Sequence, residues 1–159
     1  MIIGFTGHRK LGGYKIPNPT YNYVEKQIKK VLVQNFPKGV DKIVSGMAIG
    51  ADTLAVKIAI ELGIPFIAAI PFAGQESKWP KFVQEEYRAL LKQADNIVIV
   101  SEGGYSPEKM QIRNEWIVNH SDAMIAIFNE VPKGGTYNCI CYAEEMKKPT
   151  YKINPARSR

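Results

Sequence analysis

Thr6-Gly7-His8-Arg9 puts a hydroxyl, a glycine, an imidazole and a guanidinium in four consecutive residues, directly after the apolar run Ile2-Ile3-Gly4-Phe5. Arginine's planar fork matches phosphate oxygens bidentately, and a glycine lets backbone N–H groups approach a ligand with no Cβ in the way. A second run, Ile43-Val44, ends in Ser45-Gly46-Met47-Ala48-Ile49-Gly50-Ala51-Asp52, with two glycines four apart. Asp52 falls in the first turn of the following helix, where it either complements the macrodipole or accepts a ribose hydroxyl or a turn amide. A third set comprises Arg113-Asn114-Glu115 and, after another apolar run, Lys133-Gly134-Gly135-Thr136. Paired glycines followed by threonine at a helix start form an anion cradle. Pro71 closes a further apolar run at the same kind of junction. Neither G-x-G-x-x-G nor a P-loop is present.

These residues need a scaffold that gathers them. Strand-like and helix-like segments alternate from end to end, which predicts a Rossmann-like, doubly wound, mostly parallel sheet in three α/β/α layers. Strands are predicted at residues 2–6, 41–45, 65–70, 96–100, 123–128 and 149–153, and helices at 21–36, 51–62, 80–93, 108–120 and 136–147. The helix after Gly50 is the clearest. Ala51, Leu54, Ala55, Ile58, Ala59 and Leu62 share one face, and Gly63 ends it. Lys10–Thr20, with Gly12-Gly13, Pro17 and Pro19, reads as a loop over the site. In such a sheet the carboxyl ends of the strands lie at one edge, where ligands collect. The glycine-bearing turns are therefore expected to build one site, holding a phosphorylated small molecule largely through backbone amides.

A chain of 159 residues with 45% hydrophobic and 23% charged residues fits one globular domain. The expected division is a domain over residues 1–154 and a flexible tail over 155–159. The apolar stretch Ile64–Ala73 is too short for a membrane span and holds Pro65 and Pro71. With no basic segment before the first apolar run, no signal peptide is expected, and the cytoplasm is the default compartment. The formal net charge of +6 suits an anionic partner. No basic run interleaved with aromatics appears, so the signal for nucleic acid is weak. Cys139 and Cys141, two apart on a helix, point to different faces and read as reduced packing or surface thiols. With His8 and His120 far apart in sequence, no metal site and no cofactor are expected. His120 reads as structural, while Trp79 and Tyr105 are the loop aromatics that could stack a base.

Together the motifs resemble the SLOG superfamily. Thr6-Gly7-His8-Arg9 is similar to the opening turn of its YpsA-like branch, and Ser45–Asp52 to a segment of DNA processing protein A. Arg113, the Asp122-Ala123 strand start and Gly134-Gly135-Thr136 follow the order seen in the Lonely Guy phosphoribohydrolases. That resemblance implies a nucleotide-binding site and self-association as a dimer or larger. The Lonely Guy pattern places a glutamate three residues after its threonine, and Cys139 occupies that slot here. Cleaving an N-glycosidic bond calls for a carboxylate near an oxocarbenium-like centre. Asp52 and Glu115 are the alternative acids, with Arg113 as a phosphate clamp. Glu144 lies over two helical turns beyond Thr136.

The leading expectation is a protein that binds, as sensor or sequestering agent, a nucleotide or nucleotide-derived metabolite such as an ADP-ribose-like or cyclic nucleotide. The alternatives are a hydrolase of nucleoside monophosphates and a DNA-binding accessory protein. The expected ligand contacts are Thr6, Gly7, His8, Arg9, Ser45, Gly46, Met47, Gly50, Ala51, Asp52, Pro71, Arg113, Asn114, Lys133, Gly134, Gly135 and Thr136.

Overall fold

Short strands, the central ones apolar and buried on both faces or nearly so and the two edge ones partly exposed, make a six-stranded sheet in the computed structural model, which describes residues 1–12 and 16–158. The order is β1 (Ile2–Gly7), α1 (Pro19–Gln34), β2 (Lys42–Ser45), α2 (Ala51–Leu62), β3 (Phe66–Ile70), α3 (Lys81–Leu91), β4 (Asn96–Ile99), α4 (Pro107–Asn119), β5 (Ala123–Ile127), α5 (Gly135–Glu145) and β6 (Thr150–Ile153). All strand pairs are parallel, in the spatial order β4-β3-β2-β1-β5-β6. The sheet expected to be mostly parallel is thus wholly so among the described residues. Gly13, the second glycine of the expected loop pair, and Arg159, the last residue of the expected tail, lie outside the described residues.

Right-handed crossovers explain which helix covers which face. From β1 to β4 the chain steps steadily in one direction, so α1, α2 and α3 lie on one face. It then jumps back past β1 to β5 and steps outward to β6, which puts α4 and α5 on the opposite face. The buried clusters follow this division. Val24 and Ile28 of α1, Leu54 and Ile58 of α2, and Tyr87 and Leu90 of α3 pack with Ile3, Phe5 and Phe66. Ile117 and Val118 of α4, with Cys139 and Ala143 of α5, pack with Val44, Ala69 and Met124. The direction of winding reverses between β1 and β5, which makes the gap beyond their carboxyl ends the switch point where open parallel sheets bind ligands.

Element ends mostly follow sequence signals. Gly63 closes α2 in the left-handed conformation. Helix α1 starts earlier than expected, because Asn18 caps it by accepting the Tyr21 N–H at 2.9 Å and Pro19 occupies the first helical position. Ser106 caps α4 in the same way, ahead of Pro107. Pro155–Ser158, at the expected tail, form a 3-10 turn packed against α1. Among the described residues, no helix is long and apolar enough to cross a membrane.

Candidate functional site

At the β1/β5 switch point a cavity of about 250 Å³ opens at the carboxyl edge of the sheet. Its floor is Thr6, Gly7, His8 and Arg9, where β1 runs out. Gly135 and Thr136 of α5 form one wall, Met110, Arg113 and Asn114 of α4 another, and Ala48 and Asp52 close the third side. Of the residues expected at the site, the structure brings Thr6, Gly7, His8, Arg9, Asp52, Arg113, Asn114, Gly135 and Thr136 to this crevice.

The two glycine-bearing helix starts behave differently. Gly134 caps α5 with no side-chain hydrogen bond, and a Cβ built on Gly134 or Gly135 would meet nothing within 4 Å. The first N–H groups of a helix have no partner within it, so α5 presents donors and a partial positive charge to open space. The start of α2 is instead engaged by its own chain. Ala51 N–H donates to the His8 carbonyl at 3.1 Å, and a Cβ on Gly50 would run into the His8 and Arg9 carbonyls. Gly7 likewise makes room for Ala51 and Ile127.

Arg113 is the charged centre of the crevice, although only 4% exposed. Nη1 donates to the Gly46 carbonyl at 2.8 Å and Nε to Asn114 Oδ1 at 3.0 Å. Among the described residues Nη2 has no hydrogen-bond partner. Gly46 has to be glycine for this reason, since a Cβ there would strike the guanidinium. The adjoining turn is strained to suit. Met47 is fully buried at φ 60°, its N–H held by Ser45 Oγ at 3.1 Å. This turn aims the Gly46 carbonyl at both Arg113 and Gln75, whose Nε2 donates to it at 3.0 Å. Desolvation pulls the Arg113 pKa below its ordinary value, with Asp52 opposing the shift. A guanidinium starts so high that it keeps its charge.

Asp52, 6% exposed, accepts the Ala48 N–H at 3.3 Å on Oδ2. It makes no ion pair within 4 Å with any described residue, so it is not in contact with Arg113. Burial pushes its carboxyl above the usual range, and the charges of Arg113 and Arg9 only partly offset this. His8 Nε2 accepts the Asn129 N–H at 2.9 Å, and burial lowers its pKa, so the ring is neutral with its proton on Nδ1. The crevice therefore offers two arginines, open helix amides, two threonine hydroxyls and one carboxyl biased towards its neutral form. That set fits a phosphate better than it fits a cation. Among the described residues no group of three or more His, Cys, Asp or Glu side chains could hold a metal ion.

The other expected contacts lie elsewhere. Ser45, Gly46 and Met47 form the buried support behind Arg113, and Ala51 backs Gly7. Gly50 lines a neighbouring cavity, and Gly134 sits just outside the lining as the cap of α5. Pro71 is buried, its carbonyl accepting the Ser101 N–H at 3.1 Å. Lys133 is exposed on the approach to α5. Glu115 turns away and accepts the Gln111 amide at 3.1 Å, while Glu144 pairs with Lys152 at 3.0 Å on the surface. Burial pushes the Cys139 thiol up to about 11, with a Thr6 hydrogen bond pulling the other way, so it is no nucleophile at neutral pH. Trp79 packs edge-on against Tyr87, Tyr105 edge-on against Phe72, and His120 stacks on Trp116. Met110 and Ala48 line the crevice unforeseen. Met110 was within reach of sequence reasoning, since it precedes Arg113 by three residues and Asn114 by four on one helix face.

Comparison with known proteins agrees with this fold. The model of the YspA SLOG family matches residues 1–156. A UPF0398 protein from Bacillus cereus is 25% identical over 141 residues, covering 84% of this chain and 77% of that protein. DNA processing protein A from Streptococcus pneumoniae superposes with a TM-score of 0.67 at 22% identity, over 95% of this chain and 49% of its own. This chain thus spans about half the length of that protein. The Helicobacter pylori counterpart, whose structure concerns its single-stranded DNA binding mode, gives a TM-score of 0.65 at 21% identity, over 99% of this chain and 70% of its own. These two likenesses are likenesses of fold.

Proposed function

The chain belongs to the YspA SLOG family, and on that premise we propose that it binds a nucleotide or nucleotide-derived phosphorylated metabolite in the β1/β5 crevice, as a sensor or a sequestering protein. The observation that carries the reading is the buried guanidinium of Arg113, held open-handed beside the uncapped amino terminus of α5. A charge is costly to bury, and this one has no carboxylate in contact. A phosphate seated between it and the α5 amides would satisfy both. The proposal places the protein in the cytoplasm, where the two free thiols would stay reduced. It includes the self-association that the family resemblance implies.

The test is titration calorimetry against inorganic phosphate, nucleoside monophosphates, ADP-ribose, cyclic dinucleotides and single-stranded DNA. One phosphorylated small molecule per chain is the expected stoichiometry. No heat with any of them, from folded protein, would overturn the reading. Binding of single-stranded DNA alone, with affinity falling steeply in salt, would favour a DNA-binding role instead.

A hydrolytic reading keeps one supporting observation, the carboxyl of Asp52 inside the crevice. Chromatography of the same mixtures for free base decides it. Asp52 also gives a pH dependence. Because its folded pKa is raised, the group's favourable contribution is full below its ordinary value of 3.8 and is lost as pH rises through the raised value. Above that window an ionised Asp52 repels the incoming phosphate. Asp52→Asn, permanently neutral, is therefore expected to melt higher than the parent at pH 7, with the gap closing towards pH 4. It is also expected to bind phosphate about tenfold more tightly than the parent at any pH where the parent's Asp52 is ionised, roughly 1.4 kcal/mol of relieved repulsion. Weaker binding by Asp52→Asn would show instead that the carboxylate accepts a ligand hydroxyl.

A further inference from the structure

On the other face of the sheet, between α1, α2 and α3, lies a second and larger cavity of about 340 Å³. It falls within the size range of small-molecule sites, about 300–1,000 Å³. Its walls are apolar: Leu11, Ile49, Leu54 and Val83 line it, and Phe82 stands at its mouth with 64% of its surface exposed. A phenylalanine that far out of the core leaves a ring face free to stack.

Five polar side chains, those of Arg9, Tyr21, Thr53, Lys57 and Glu86, share the lining with them. Lys57 bridges the three helices, its Nζ 3.2 Å from Glu86 of α3 and 6.0 Å from the centre of the Tyr21 ring of α1. Tyr21 has its phenol pushed up to about 12 by burial and by Glu25 and Glu86, so it stays a protonated donor. Apolar walls with a handful of directional donors and acceptors suit a planar heterocycle rather than a second anion.

The cavity and the crevice are separated by little more than one residue. Arg9 lines both, and along the first turn of α2 Asp52 faces the crevice while its neighbour Thr53 faces the cavity. The Thr53 hydroxyl is tied to the Ala48 carbonyl at 2.8 Å, so this partition is held rigidly.

We propose that the ligand is bipartite: its phosphate occupies the β1/β5 crevice, and an aromatic ring system occupies the cavity between α1, α2 and α3, the two parts joined past Arg9. The inference rests on the phosphate-binding reading of the crevice and narrows the ligand to a phosphorylated compound with a flat heterocycle, such as a nucleoside diphosphate.

Calorimetry with pyrophosphate and with ADP, GDP, CDP and UDP tests it, on the parent protein and on Val83→Trp and Phe82→Ala. Val83→Trp fills the cavity from α3 without touching the crevice, and Phe82→Ala removes an exposed ring with little risk to folding. At least one nucleoside diphosphate is expected to bind about tenfold or more tightly than pyrophosphate, the scale of one stacked base. Both variants are expected to lose most of that gain and to keep the pyrophosphate affinity of the parent. Equal affinity for pyrophosphate and every nucleoside diphosphate, or a gain that survives Phe82→Ala, would overturn the bipartite ligand and leave the crevice reading intact. Absence of binding by pyrophosphate and all four nucleotides would overturn the bipartite ligand, and the crevice reading falls with it only if the wider set of phosphorylated compounds also gives no heat.

Discussion

Gly50→Ala is expected to lower the melting temperature by about 10 °C, the largest stability loss foreseen for a single added methyl group. Gly50 sits at φ 88° and ψ −121°, a region costing a residue with a Cβ about 1–3 kcal/mol. The new Cβ would also lie 2.6 Å from the His8 carbonyl oxygen and closer still to that of Arg9. Both are backbone atoms, so nothing can swing aside, and overpacking adds about 1–3 kcal/mol more. For a domain of this size each kcal/mol is worth roughly 2–4 °C. The damage would reach the site, because Ala51 N–H fixes the start of α2 to the His8 carbonyl. Gly74→Ala is the control. Gly74 also has a positive φ, 80°, but no atom within 4 Å of a built Cβ. It should lose only the conformational part, about 1 kcal/mol. Equal losses for the two variants, followed by differential scanning calorimetry, would show that the contact with the 8–9 backbone is not what holds α2.

Arg113→Met is expected to weaken phosphate binding by at least about 100-fold while the protein still folds. A hydrogen bond to a charged group is worth about 1.5–3 kcal/mol, and a bidentate contact supplies two. Methionine fills much of the same space, so the packing at this buried position survives in part. The buried carbonyl of Gly46 keeps Gln75 as a donor. Asp52 loses its strongest favourable charge, which should move its titration still higher and make the variant more sensitive to alkaline pH. Arg113→Lys keeps a charge but not the fork, and falls between the two. Far-ultraviolet circular dichroism checks folding and titration calorimetry reads affinity. A folded Arg113→Met with the parent's affinity would reduce Arg113 to a strut for the turn at Gly46.

Sequence periodicity made most of the fold legible. The apolar face of α2 and its Gly63 stop are purely local signals, and so are the apolar runs of β1 to β5. The start of α1 is not legible in the sequence, because Pro17 and Pro19 read as a loop, whereas Pro19 is the first helical residue behind its Asn18 cap. Strand order is a long-range property that no local pattern encodes. At the site, residues whose side chains carry the chemistry were readable from type and position: Arg9, Asp52, Arg113 and Thr136 all reach the crevice. The glycines were harder. Gly135 faces open space, Gly46 makes room for Arg113 and Gly50 for the backbone of residues 8–9, yet the three look alike in a sequence. The left-handed turn at Met47 carries no glycine to announce it. The second cavity was invisible for another reason. It depends on three helices facing one another, with Leu11, Leu54 and Val83 separated widely along the chain.

The central claim is that a phosphate docks where β1 and β5 diverge, against α5 and Arg113. Amide resonances in a nitrogen-15-labelled sample, followed during titration with a nucleoside diphosphate, test it most directly. The largest shifts are expected at Gly7, His8, Gly135 and Thr136, together with the Nε–H of Arg113, saturating as one site. Saturable shifts confined to other parts of the surface, with those five signals unmoved, would contradict it.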